Sequence, residues 1–99
     1  VNVVNGITGK PMGRVVNVTS DGLMLVSQTP IPPDRQFVLR LVLPRVVGGK
    51  WDLEVDARSV WFRPDDNPNY YRIGFEFRNI GGEDAYLLEN VMHTFHLAG

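Results

Sequence analysis

His93 and His96 stand three residues apart near the end of the chain, close enough in a helix to share a face. A zinc site needs three or four ligands with outer-shell support. The chain has no cysteine and no HExxH frame around the pair. The two imidazoles therefore read as the polar edge of a last helical turn, where a protonated ring suits the dipole. Asp65, Asp66 and Asn67 offer oxygens for calcium, but an EF-hand loop needs alternating ligands, a glycine and a distal glutamate. They read as a solvated turn between Pro64 and Pro68. Ser20 lacks a GxSxG elbow and is a turn former. The glycines of Gly6-Ile7-Thr8-Gly9 have no strand–turn–helix unit around them, so they make no dinucleotide fingerprint. No catalytic constellation assembles, and neither enzyme activity, a metal nor a cofactor is expected. Trp61 beside Arg63 is different in kind. An aromatic face next to a guanidinium can hold a planar base by stacking and cation–π attraction.

The elements that must position these residues are mostly strands. Val1–Val4 is short and β-branched, and Asn5-Gly6 and Thr8-Gly9-Lys10-Pro11 are turn chemistry. Arg14–Val18 and Leu23–Val26 flank Thr19-Ser20-Asp21-Gly22, a hairpin signal. Gln28–Arg35 holds Pro30, Pro32 and Pro33 and is a loop. Phe37, Leu39, Leu41 and Leu43 alternate with Val38, Arg40 and Val42, and Pro44 follows. Trp51, Leu53, Val55, Ala57 and Ser59 share one face of the next strand, with Asp52, Glu54, Asp56 and Arg58 on the other. Trp61 falls on the same apolar parity, and Trp51 is expected to pack in the core or at its rim. Tyr71, Ile73, Phe75 and Phe77 alternate with Arg72, Gly74, Glu76 and Arg78.

After Gly81-Gly82 the period changes, and Leu87, Leu88, Val91, Met92 and Phe95 recur at helical spacing. The pattern predicts an antiparallel barrel of about six strands and one C-terminal helix from near Glu83 to near Phe95, plugging one mouth. Phe37, Leu39, Leu41, Leu53, Val55, Ile73, Phe75, Phe77, Leu88, Val91 and Phe95 are the expected core.

Composition narrows the function class. The 99 residues make one domain. A net charge of −1 gives no field to gather nucleic acid and, with no basic groove pattern, argues against an oligonucleotide-binding barrel. The absence of cysteine fits a reducing cytoplasm. No apolar run approaches the length that spans a bilayer, so no membrane insertion is expected.

The run Gly13-Arg14-Val15-Val16-Asn17-Val18-Thr19-Ser20-Asp21-Gly22-Leu23 resembles the second half of the PilZ signature, Asp or Asn, then Ser two residues on, then Gly. Here Asn17, Thr19 and Gly22 match, with Thr keeping the hydroxyl of Ser. Leu39–Pro44, Ala57–Trp61, Tyr71–Phe77 and the closing helix are similar to the family in order and spacing, so the resemblance covers nearly the whole chain. It implies a mainly β, six-stranded antiparallel barrel with a C-terminal helix, acting as a bacterial signalling module. The implied ligand is cyclic di-GMP, with a downstream protein partner.

The implied contacts are Asn17 and Thr19 as hydrogen-bonding groups on a turn. Gly22 permits close backbone approach or a positive φ, and Trp61 stands where some members present an aromatic residue. The family's arginine pair, spaced RxxxR, precedes the first strand, whereas residues 1–99 begin in that strand and are expected to lack the arginine-containing arm. Lys10 and Arg14 share the spacing but lie beyond the strand, and they read as a solvated hairpin arm. Two expectations follow. Either the arginines lie upstream and this chain binds cyclic di-GMP weakly, or the domain is a degenerate, ligand-independent protein-interaction module.

Overall fold

A computed structural model describes residues 1–97. It contains β1 (Asn2–Asn5), β2 (Pro11–Val18), β3 (Gly22–Ser27), β4 (Gln36–Val47), β5 (Lys50–Pro64), β6 (Tyr71–Arg78) and α1 (Gly82–Thr94). Every pairing is antiparallel, and the strands close in the order β1-β2-β3-β6-β5-β4. Closure leaves no strand edge unpaired along the barrel wall. The expected six-stranded barrel and single helix are therefore the architecture found.

Side-chain alternation places the core. Leu39 opposes Val55 and Leu41 opposes Leu53, while Leu23 and Leu25 oppose Phe75 and Ile73. Directly opposed residues share a face, so the apolar parities of four strands meet inside. Leu25, Leu39, Leu41, Ile73 and Val3 are among the fully enclosed side chains. Three expected core residues sit at its margin instead. Phe37, Phe77 and Phe95 are half-buried and packed against the core. Phe37 and Phe77 lie near strand ends and Phe95 is the helix C-cap, so each ring keeps one side toward solvent. Phe37 still meets Phe75 edge to face, with centroids 5.7 Å apart. The expectation for Trp51 is corrected outright, since it is 66% exposed. It keeps the parity of buried Leu53, but β4 and β5 run 12 and 15 residues and overhang the shorter strands. The β4–β5 register slips there between Val42 and Val47, and Leu43 and Val47, not Trp51, are the side chains buried.

The two mouths are closed differently. At one, α1 buries Leu87, Leu88 and Val91. A Cβ on Gly48 would lie 2.4 Å from Leu87 Cδ2, so the β4–β5 turn passes tight against the helix. Just beyond the Phe95 cap, His96 with a φ of 57° turns the chain, and the Val18 N–H donates to the Leu97 carbonyl at 2.7 Å. At the other mouth the proline-rich loop is tied down by buried Ser59. Its hydroxyl donates to the Pro32 carbonyl at 2.7 Å and accepts from the Arg35 N–H at 3.0 Å. No helix among the described residues is long and apolar enough to cross a membrane.

Candidate ligand-binding face

Two β-bulges decide what the outside of the barrel presents. In β2, Val15 opposes Leu25 but Asn17 opposes Met24, so Val16 is an extra residue. Strict alternation would send Asn17 inward with Val15. The added residue sends it outward instead. In β5, Ser59 opposes Phe75 but Trp61 opposes Gly74, so Val60 is extra. Trp61 thereby leaves the inward parity of Leu53–Ser59, which corrects the parity expected from the sequence. Met24 pairs with Gly74, so both corrections land on the same rung. Asn17, Met24, Gly74 and Trp61 form one outward row across β2, β3, β6 and β5. Three inter-strand spacings make this row about 14 Å long.

Trp61 is seated by what Gly74 lacks. A Cβ there would fall 2.3 Å from indole Cε2 and Nε1, so the ring lies on the β6 backbone. The Arg63 guanidinium lies over the ring, 5.0 Å from its centroid, and 37% of the residue remains exposed. This is a flat aromatic surface with a cation over it.

Thr19 and Gly22 have a different task. Thr19 N–H donates to the Gly22 carbonyl at 2.9 Å, and the Thr19 hydroxyl accepts from the Asp21 N–H at 3.3 Å. Gly22 serves close approach, not a positive φ, because a Cβ there would lie 2.0 Å from the Phe75 carbonyl oxygen. These two residues build the turn at the end of the row. Glu76, which opposes Gly22, is engaged by Arg58 at 3.4 Å, and Arg58 also holds Asp34 at 3.1 Å.

The next row outward holds residues that the sequence reading left aside. Arg14, Val26, Arg72 and Arg63 oppose one another in turn. An open groove of about 1010 Å³ runs over Met24 and Val26, between Arg14 and Arg72, to the β5–β6 loop at Asp65, Asn67 and Tyr70. Asn17, Thr19, Gly22 and Trp61 lie beside this groove and do not line it. The structure also separates Lys10 from Arg14. Lys10 sits on the exposed β1–β2 turn, while Arg14, also exposed, lines the groove. Strand parity alone could have found Arg72, which shares the polar face of β6 with Gly74 and Glu76.

In the loop, Arg72 Nε donates to Asp65 Oδ1 at 2.6 Å and the Asn67 N–H donates to Asp65 Oδ2 at 3.2 Å. The Arg72 hydrogen bond, and then the Asn67 N–H, hold the Asp65 carboxyl below its ordinary value, and Asp65 in turn raises Arg72. His93 lies in α1 and His96 beyond its cap, so the helical spacing of the pair does not put them on one helix face. Among the described residues no three His, Cys, Asp or Glu gather as a metal site.

No curated protein matches the sequence. The PilZ domain family does, over residues 3–93, from β1 through nearly all of α1. That match takes in all six strands, including both bulges and the Thr19–Gly22 turn, and the chain belongs to the PilZ domain family, a family of cyclic di-GMP receptor domains.

Proposed function

We propose that this domain binds cyclic di-GMP on the outer face of β2, β3, β6 and β5, and passes the bound state to a protein partner without catalysing a reaction. The observation that carries the reading is the shared rung. Two independent bulges turn Asn17 and Trp61 outward onto one row, with an arginine row alongside. Cyclic di-GMP brings two guanine faces and two phosphates. Trp61 supplies a stacking surface, worth about 1–3 kcal/mol per base. Asn17 supplies an amide for hydrogen bonding, and Thr19 and Gly22 hold the turn that fixes where Asn17 points. No cofactor is required, and the setting is bacterial second-messenger signalling in the cytoplasm.

Titration calorimetry with cyclic di-GMP tests this. Trp61→Ala should weaken binding about 5- to 150-fold, and Asn17→Ala should weaken it by a smaller factor. A second reading, a ligand-independent protein-interaction module, draws on Trp51 and Val46, which expose 66% and 45% of their surface on the overhanging β4–β5 hairpin. No heat of binding from either this chain or one extended upstream through an arginine pair would favour that reading.

A further inference from the structure

Three guanidinium groups share one outward row, and among the described residues only Arg72 of the three is paired with carboxylates. Arg63 and Arg72 are directly opposed across β5 and β6, and Arg14 stands one strand beyond Val26. Like charges directly opposed in a ladder are destabilising. Arg14 makes no ion pair among the described residues, and the only carboxylates on Arg72 are Asp65 at 2.6 Å and Asp66 at 3.6 Å. Asp66 is fully solvated, whereas the Asp65 side chain keeps 14% of its surface. The groove between Arg14 and Arg72 has an apolar floor of Met24 and Val26. Two strand spacings put the arginine backbones about 10 Å apart.

We propose that this groove is a phosphate subsite gripped by Arg14 and Arg72, in which the Asp65 carboxylate occupies the phosphate position until an anion displaces it. The donors already on Asp65 show what the position accepts. One is a guanidinium N–H and the other the Asn67 backbone N–H, a pairing that suits a phosphate oxygen as well as a carboxylate. Asp65 can give up Arg72 by a side-chain rotation alone. The loop backbone is held separately, by the Asp65 N–H on the Tyr70 carbonyl and the Tyr70 N–H on the Asn67 carbonyl, each at 3.0 Å. The internal carboxylate therefore competes with phosphate for Arg72 and the Asn67 N–H, while the Tyr70 hydrogen bonds keep the loop closed. Naming the phosphate as that of cyclic di-GMP rests on the function proposed above, and the groove itself does not.

Inorganic phosphate and cyclic di-GMP, titrated separately into the ¹⁵N-labelled chain, read the arginine Nε–Hε signals directly. Phosphate should shift Arg14 and Arg72 in the wild type with weak affinity. Asp65→Asn should tighten phosphate binding about tenfold, and Arg14→Gln, at an exposed position, should weaken it by about tenfold or more. Phosphate that moves neither signal overturns the inference, as does a folded Asp65→Asn chain whose affinity is unchanged or lower. If Asp65→Asn does not fold, Arg14→Gln decides alone, and unchanged phosphate affinity there overturns it equally. Phosphate behaving as expected while cyclic di-GMP does not bind would remove the nucleotide reading and leave the groove. Cyclic di-GMP binding without moving Arg14 or Arg72 would keep the nucleotide reading and overturn the groove as its phosphate subsite.

Discussion

Gly74→Ala adds one methyl group under the Trp61 indole, and the structure sets the size of the effect. The new Cβ would lie 2.3 Å from Cε2 and Nε1 and 2.8 Å from Cζ2. Ordinary carbon contacts begin near 3.5 Å, so the ring must lift by roughly 1 Å or swing aside. Overpacking of this kind costs about 1–3 kcal/mol. The loss of a glycine from the unfolded chain offsets about 0.4–1 kcal/mol. Trp61 is 37% exposed and free to yield on its outer side, which places the net destabilisation near 1 kcal/mol. For a domain of this size that is a fall of about 4–8 °C in Tm.

The larger effect should be on the face itself, because the indole no longer lies flat beside Asn17 and Met24. Cyclic di-GMP affinity should fall by a share of the 5- to 150-fold expected for losing Trp61 altogether. Tryptophan emission reports the displacement directly when Trp51, which is exposed, is replaced by Phe in both chains being compared. Lifting the ring toward water should shift its emission to longer wavelength. A Gly74→Ala chain that is more stable than its parent, with unchanged emission, would falsify the seating of Trp61 on Gly74 and the outward bulge at Val60 with it.

Three further outcomes test the scaffold. Ser59→Ala strips a fully buried hydroxyl from the Pro32 carbonyl and the Arg35 N–H, and should cost about 1–3 kcal/mol in urea melts; a change within error would mean the proline-rich loop is not anchored there. Phe75→Ala removes a ring that is 4% exposed and should cost about 3–5 kcal/mol, read the same way. The Asp65–Arg72 pair sets a pH dependence with a definite sign. Its folded-state carboxyl pKa lies below the unfolded value of about 3.9. Its stabilisation is therefore fully present above the unfolded value and is lost as pH falls through the lower, folded one. The stability difference between wild type and Asp65→Asn should be flat from neutral pH down to about pH 5 and shrink only below it; a difference that already changes between pH 7 and pH 6 would assign the effect to another group.

The period-two alternation from Phe37 to Phe77 specified β4–β6, the helical stripe from Leu87 to Phe95 specified α1, and apolar runs between turn signals marked β1–β3; eight of the eleven expected core residues are buried. Alternation is a property of each strand alone, and a half-buried strand must put its apolar parity inside. The match of Asn17, Thr19 and Gly22 to a family pattern is likewise a matter of local spacing. The bulges at Val16 and Val60 were not legible, because an extra residue exists only relative to a partner strand that counts one fewer. Trp61 therefore read as sharing the face of Leu53, and Asn17 carried no visible direction. Trp51 misled for a related reason. Parity tells which side of a sheet a residue takes only while the register holds, and the β4–β5 pairing slips between Val42 and Val47, beside Trp51. The arginine row was hidden in the same way, since Arg14, Arg63 and Arg72 lie far apart in the chain. Antiparallel register alone brings them together, with Asp65 folded back onto the last of them.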